Sequence, residues 1–190
     1  MAHGRALDLG ARTLVMGILN VTPDSFADGG RHFDFDRAVA AGFRMIAEGA
    51  DILDLGGEST RPGADPLPED EELRRVLPVL ERLAAETDAP ISIDTYKANV
   101  AREAIARGAV IINDVSGLQY EPALGTVAAE TGAGLILMHT RGRSRGMYAL
   151  AVYDDVVEEV KRERSSAIER ATRAGVSREH IVIDPGFGFA

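Results

Sequence analysis

Short apolar runs alternate with longer amphipathic stretches along this 190-residue chain, and no Ser/Pro-rich linker or low-complexity segment interrupts them. The apolar runs cover residues 14–19, 52–55, 91–93, 110–112, 135–138 and 181–183. Each is short and rich in Val, Ile or Leu without polar alternation, which predicts strands buried on both faces, as in a parallel sheet. Helical patterns fill the gaps at 36–48, 69–86, 97–107, 122–131 and 154–174. Gly49, Gly108, Gly132 and Gly175 stand where a left-handed residue would close four of them. The predicted order is βαβαβαβαβαβ in one domain spanning residues 1–190. Such an α/β chain forms either a doubly wound open sheet or a (β/α) barrel, with right-handed crossovers in both. A complete barrel needs eight strands and about 250 residues; six strands are expected here.

Composition excludes several classes. With 21 Lys plus Arg against 30 Asp plus Glu, the formal charge of −9 argues against nucleic acid and against an anionic membrane surface. The absence of cysteine removes a disulfide framework, a thiolate nucleophile and a Cys-type zinc site. No signal-peptide core and no apolar run of membrane-spanning length is present, so a cytoplasmic protein is expected. His3, His32, His139 and His180 have no spacing that would pair two on one face, which argues against a histidine metal cluster. His139, at a strand end, is open to either a structural or a substrate-facing role.

In both architectures ligands bind at the carboxyl ends of the strands. The residues there are polar: Asn20 after the first run, Asp54 within the second, then Asp94, Asn113-Asp114, His139 and Asp184. Turn formers and helix caps account for many such residues. Caps, however, stand just before a helix, whereas Asn20, Asp94, Asn113 and Asp184 directly follow apolar runs. Short carboxylates and amides converging on one mouth suit a flat heterocycle with adjacent N–H donors, such as a guanine-like or pterin-like ring. They also suit a hard cation, Mg²⁺ before zinc. Two segments, 20–34 and 56–68, exceed the usual βα loop length and are candidate lids. In the second, Arg61 is a cation available to an anionic group in an acidic chain.

The stretches Met16-Gly17-Ile18-Leu19-Asn20-Val21-Thr22-Pro23-Asp24-Ser25-Phe26, Asp54-Leu55-Gly56-Gly57-Glu58-Ser59-Thr60-Arg61-Pro62-Gly63, Ser92-Ile93-Asp94-Thr95, Ile112-Asn113-Asp114-Val115-Ser116-Gly117 and Asp184-Pro185-Gly186-Phe187-Gly188-Phe189 resemble, in order, the motifs of the dihydropteroate synthases. The resemblance implies a (β/α)₈ TIM barrel, of which this chain supplies about six strands and five helices. It also implies condensation of p-aminobenzoate with 6-hydroxymethyl-7,8-dihydropterin pyrophosphate, a step in folate synthesis with which sulfonamides compete. By the same resemblance Asp94, Asn113 and Asp184 hold the pterin edge, Met138 packs on the ring, and Asn20 ligates Mg²⁺ bridging the pyrophosphate. Thr60 and Arg61 belong to a mobile second loop, Pro23, Asp24, Ser25 and Phe26 to a first loop over the substrates, and Phe189 to the p-aminobenzoate pocket. Asp24 and Asp94 are the candidates for holding negative charge near a developing pterin cation. A homodimer is implied for the full-length enzyme.

Two departures qualify the resemblance. The family's His-Met-Arg-Gly stretch and following Thr-Pro element read here as His139-Thr140-Arg141-Gly142-Arg143-Ser144-Arg145-Gly146-Met147. The family's later lysine and Arg-x-His element have no counterpart in these residues, so turnover by the isolated chain is not expected, and an open six-stranded portion that exposes the outer edges of its first and last strands is expected to be poorly stable or prone to associate. Alternatives are a non-catalytic pterin-binding paralogue or fragment and a corrinoid-linked pterin methyltransferase domain. A doubly wound nucleotide-binding protein is disfavoured by the missing GxGxxG and Walker lysine.

Overall fold

The computed structural model describes residues 7–21, 31–59, 65–143 and 146–189, the side chains of 31–34 excepted. Six strands form one parallel sheet: β1 (Met16–Asn20), β2 (Ile52–Gly56), β3 (Ile91–Asp94), β4 (Ile111–Asp114), β5 (Gly134–Met138) and β6 (Ile181–Asp184). Their order in the sheet is their order in the chain. A doubly wound sheet reverses order at a switch point, so this uninterrupted progression selects the barrel alternative. Between the strands run α1 (Arg31–Ala47), α2 (Glu69–Glu86), α3 (Ala98–Ala106), α4 (Ala123–Thr131) and α5 (Val156–Arg173).

Helix α2 shows how these residues choose their element. Val76, Val79, Leu80 and Leu83 recur at helical spacing and are buried. Each contributes about 2 kcal/mol by removing its side chain from water. The first turn is acidic, Glu69 to Glu72, which complements the helix dipole. At α5, Asp155 caps the amino end by accepting from the amides of Val157 and Glu158 at 3.1 Å. The four expected cap glycines all adopt positive φ, with Gly132 at 68° closing α4.

Two expectations need correction. Residues 31–34 belong to α1, so the first long loop is shorter than the 20–34 span; no turn former follows Gly30 to hold the helix off. Burial on both faces holds for β2 but not for the edges: Ile18 on β1 and Val182 and Ile183 on β6 are exposed. The strands are also not uniformly apolar. One parity, Leu19, Leu55, Ile93, Ile112 and Leu137, packs in the core beneath the helices. The other parity, pointing to the opposite face of the sheet, carries Asn20, Asp54, Ser92, Asp94 and Asn113.

Candidate functional site

Sheet register sets the polar residues side by side. Asn20 is level with Gly56, Gly56 with Asp94, and Asp94 with Asn113, a row across four strands at their carboxyl ends. One layer below, Asp54 is level with Ser92. On the far side, Met138 is level with Asp184. Gly56 is the gap in this row: a Cβ there would lie 3.3 Å from Asp94 Oδ2 and 3.4 Å from Asn20 Oδ1. The two oxygens therefore border one small space that a side chain would crowd.

The layer below supports the row. Asn113 donates from Nδ2 to Asp54 Oδ2 at 2.9 Å. Asp54 is buried, and its other oxygen, like the Ser92 hydroxyl, lacks a well-formed hydrogen bond. Burial raises the Asp54 pKa, with Ser92 and Asn113 drawing it back. Asp94 is pushed well above the usual carboxylate range, first by burial and then by repulsion from Asp54, Glu72, Asp114 and Glu58. A ligand edge rich in N–H groups would offset that burial and repulsion, since its donors favour the ionised carboxylate.

Adjacent Asn113 and Asp114 have opposite fates because strand side chains alternate. Asp114 is fully buried on the helix side, where its carboxylate accepts from the Ser116 amide and hydroxyl and from the Leu118 amide at 2.6–2.8 Å. It builds the turn after β4. Asp184 remains at the mouth, with Oδ1 accepting from the Gly186 amide at 2.8 Å. Gly186 has φ 72°, and a Cβ there would sit 2.1 Å from the His139 carbonyl, so only glycine fits. His139 is buried and bonded through Nε2 to Glu163 at 2.9 Å, which makes it a tie between β5 and α5.

At the rim, Glu58, Tyr96, Val115, Tyr120, Met138, Thr140, Met147 and Phe189 line one narrow cleft. Phe189 and Met138, expected at the p-aminobenzoate and pterin positions, thus share a single cavity. The acids beside it are braced by a network that the sequence alone does not display. Lys97 Nζ donates to Glu58 at 2.6 Å, to the Leu67 carbonyl at 2.8 Å, and to the buried Glu72. Tyr96 also donates to Glu58, at 3.0 Å. Burial opposes the Lys97 charge, but its bonds to Glu58 and Glu72 outweigh that and raise its pKa. Burial raises Glu72 in turn, as expected where two carboxylates share one ammonium.

Pro23, Asp24, Ser25, Phe26, Thr60 and Arg61 lie outside the described residues. Among the described residues no group of three or more His, Asp or Glu is arranged to hold a metal, and no helix is long and apolar enough to cross a membrane.

Residues 16–190 match the family model described as "Pterin binding enzyme". The chain is 48% identical over 185 residues to dihydropteroate synthase of Bacillus subtilis (strain 168), covering 97% of this chain and 62% of that protein. A crystal structure of Yersinia pestis dihydropteroate synthase with a sulfonamide drug complex superposes with a TM-score of 0.91 at 48% identity. It covers all of this chain and 68% of that one. Xanthomonas albilineans dihydropteroate synthase with 4-aminobenzoic acid gives 0.90 at 50% identity, over 99% of this chain and 66% of that one. The chain thus spans a little under two thirds of the length of the first curated relatives it matches. Its six strands and five helices are the corresponding part of a (β/α) barrel, and the chain belongs to the pterin binding enzyme family.

Proposed function

We propose that the protein carrying this chain is a dihydropteroate synthase, joining p-aminobenzoate to 6-hydroxymethyl-7,8-dihydropterin pyrophosphate with release of pyrophosphate. The observation that carries this reading is the row Asn20, Gly56, Asp94 and Asn113, with Asp54 beneath it, at the carboxyl ends of the strands. Its support from outside is a family of pterin binding enzymes and a relative crystallised with 4-aminobenzoic acid.

In this mechanism Asp94, Asn113 and Asp184 accept from and donate to the pterin edge, while Met138 flanks the ring and Phe189 the arylamine. The bond from the pterin methylene carbon to pyrophosphate breaks with its electron pair leaving on oxygen. The arylamine nitrogen then supplies the pair for the new C–N bond and loses a proton. As positive charge grows on the pterin, ionising Asp94 becomes cheaper, so its stabilisation increases toward the transition state. The oxygens of Asn20 and Asp94 beside Gly56 form a hard donor set that fits Mg²⁺, which keeps most of its shell as water and phosphate oxygen. When bound, Mg²⁺ supplies neutralisation of the departing pyrophosphate. The same reading makes the full-length enzyme a cytoplasmic homodimer with sulfonamides as competitors.

The test is dihydropteroate formation from the two substrates by the protein carrying this chain, with and without Mg²⁺. Product that needs both substrates and the ion is expected. Pterin binding without product would favour the non-catalytic alternative.

A further inference from the structure

Helix α5 backs the ends of β4 and β5, and three of its residues at helical spacing, Glu163, Ala167 and Arg170, face them. Glu163 meets His139 Nε2 at 2.9 Å. Ala167 and the Met138 carbonyl close in on Gly117, where a Cβ would lie 3.4 Å from one and 2.9 Å from the other. Arg170 donates to the Gly117 carbonyl at 2.9 Å. None of the three is among the residues lining the rim cleft.

His139 joins that face of the helix to the ligand side. Its backbone amide donates to the Asp184 carbonyl at 3.0 Å, and its own carbonyl abuts Gly186. It directly follows Met138, which is level with Asp184 in the sheet. One residue thus links the ends of β5 and β6; its side chain is buried, and the anchor of that side chain is Glu163. Glu163 has a second partner in Arg141, whose guanidinium also bonds to Glu159 at 2.7 Å and stacks 3.8 Å over Tyr153. Hydrogen bonding by Arg141 holds the Glu163 carboxyl below the usual range, with burial opposing and His139 adding to it. An ionised acceptor makes His139 Nε2 the donor.

We infer that Glu163 is a positioning residue for the pterin side of the mouth: by holding the His139 ring it sets the places of Met138 and Asp184. The two bonds of Glu163 then differ in purpose, since the one to His139 serves the site and the one to Arg141 serves the fold. The inference rests on the synthase reading for the ligand that reports it, and on the hydrogen bonds above for its geometry.

The experiment is calorimetric titration of the protein carrying this chain, and of its variants, with 6-hydroxymethyl-7,8-dihydropterin pyrophosphate. Melting curves accompany it, as do NMR spectra of ligand-free protein whose methionines carry carbon-13 methyl groups, the Met138 signal being assigned with Met138→Leu. His139→Leu and Glu163→Ala are each expected to weaken pterin binding about tenfold and to move the Met138 methyl resonance. The double variant should bind no more weakly than either, because both changes remove one contact. His139→Gln, whose amide can donate to Glu163 in place of the ring, should keep most of the affinity. Arg141→Met should lower Tm while leaving the affinity and the Met138 resonance unchanged.

An Arg141→Met protein weakened as much as Glu163→Ala would make the cluster a general support and overturn the assignment. So would additive losses in the double variant, or unchanged binding with an unmoved Met138 methyl in His139→Leu. If the unsubstituted protein bound no pterin, the synthase reading would fail separately, and the Met138 resonance of the ligand-free variants would still decide the role of Glu163.

Discussion

The two ends of the sheet differ in kind. At the amino end a cavity of about 590 Å³ opens among Leu7, Leu9, Leu14, Ile52, Ile111 and Leu135. Arg12, at its edge, bonds to Asp51, which also accepts from the Val15 amide at 2.9 Å. At the carboxyl end the cleft beside Glu58, Met138 and Phe189 is narrow, yet the strand ends there carry Asp94, Asn113 and Asp54 with an unsatisfied oxygen. Room alone therefore does not locate chemistry. Convergent polar groups held at a cost to stability do, and in a barrel the loops at that end vary while the opposite end carries stability.

Asp94→Asn breaks this contrast most sharply. Dihydropteroate formation should fall by about 10²–10³ in kcat/KM, the scale of removing one electrostatic contact at a reacting centre. The fold should gain. A carboxylate whose folded pKa is raised contributes stability that is complete below the ordinary carboxylate value and is lost as pH rises through its own higher value. At neutral pH burial and the neighbouring acids oppose ionisation of Asp94, so the amide should raise Tm by roughly 2–4 °C. An active variant, or one less stable, would put Asp94 outside the site.

Lys97→Met comes next, and its effect falls on stability. Removing the ammonium leaves Glu58 and Glu72 facing each other without a cation, a loss of about 3–5 kcal/mol for a buried pair broken on one side. Urea denaturation measures it, and adding Glu72→Gln should recover part of the loss. A Lys97→Met protein as stable as the unsubstituted one would show that the network braces nothing.

The smallest effect belongs to the amino end. Arg12 holds the Asp51 carboxyl down to about 2, chiefly by hydrogen bonding, at a solvent-exposed position. Stability from a depressed carboxylate is present above its ordinary pKa and lost as pH falls toward that lower value. Arg12→Ala should therefore lower Tm slightly at neutral pH, by progressively less as pH falls through about 2, and leave pterin binding unchanged. Melting curves across that range, with and without added salt, measure it.

Much of the scaffold was legible in the residues. Apolar runs marked all six strands, α2 spans 69–86 as its periodicity predicts, and the four cap glycines turn as expected. What periodicity in short runs could not separate was parity. Asn113 was singled out because it directly follows the apolar run, but the fate of its neighbour Asp114, buried in a turn by the alternation of the strand, was not visible. Nor could spacing reveal Lys97 between Glu58 and Glu72, since those partners lie 39 and 25 residues away in sequence. Gly56 was visible only as part of a motif. Its role as the space between Asn20 and Asp94 follows from sheet register.

The most direct measurement is calorimetric titration of the protein carrying this chain with 6-hydroxymethyl-7,8-dihydropterin and with the corresponding lumazine, in which a carbonyl replaces the 2-amino group. If the carboxyl-end row recognises an edge of adjacent N–H donors, the pterin binds and the lumazine is weaker by at least about tenfold, the equivalent of one lost charged hydrogen bond. Equal affinity for the two rings, or no binding of either, would contradict it.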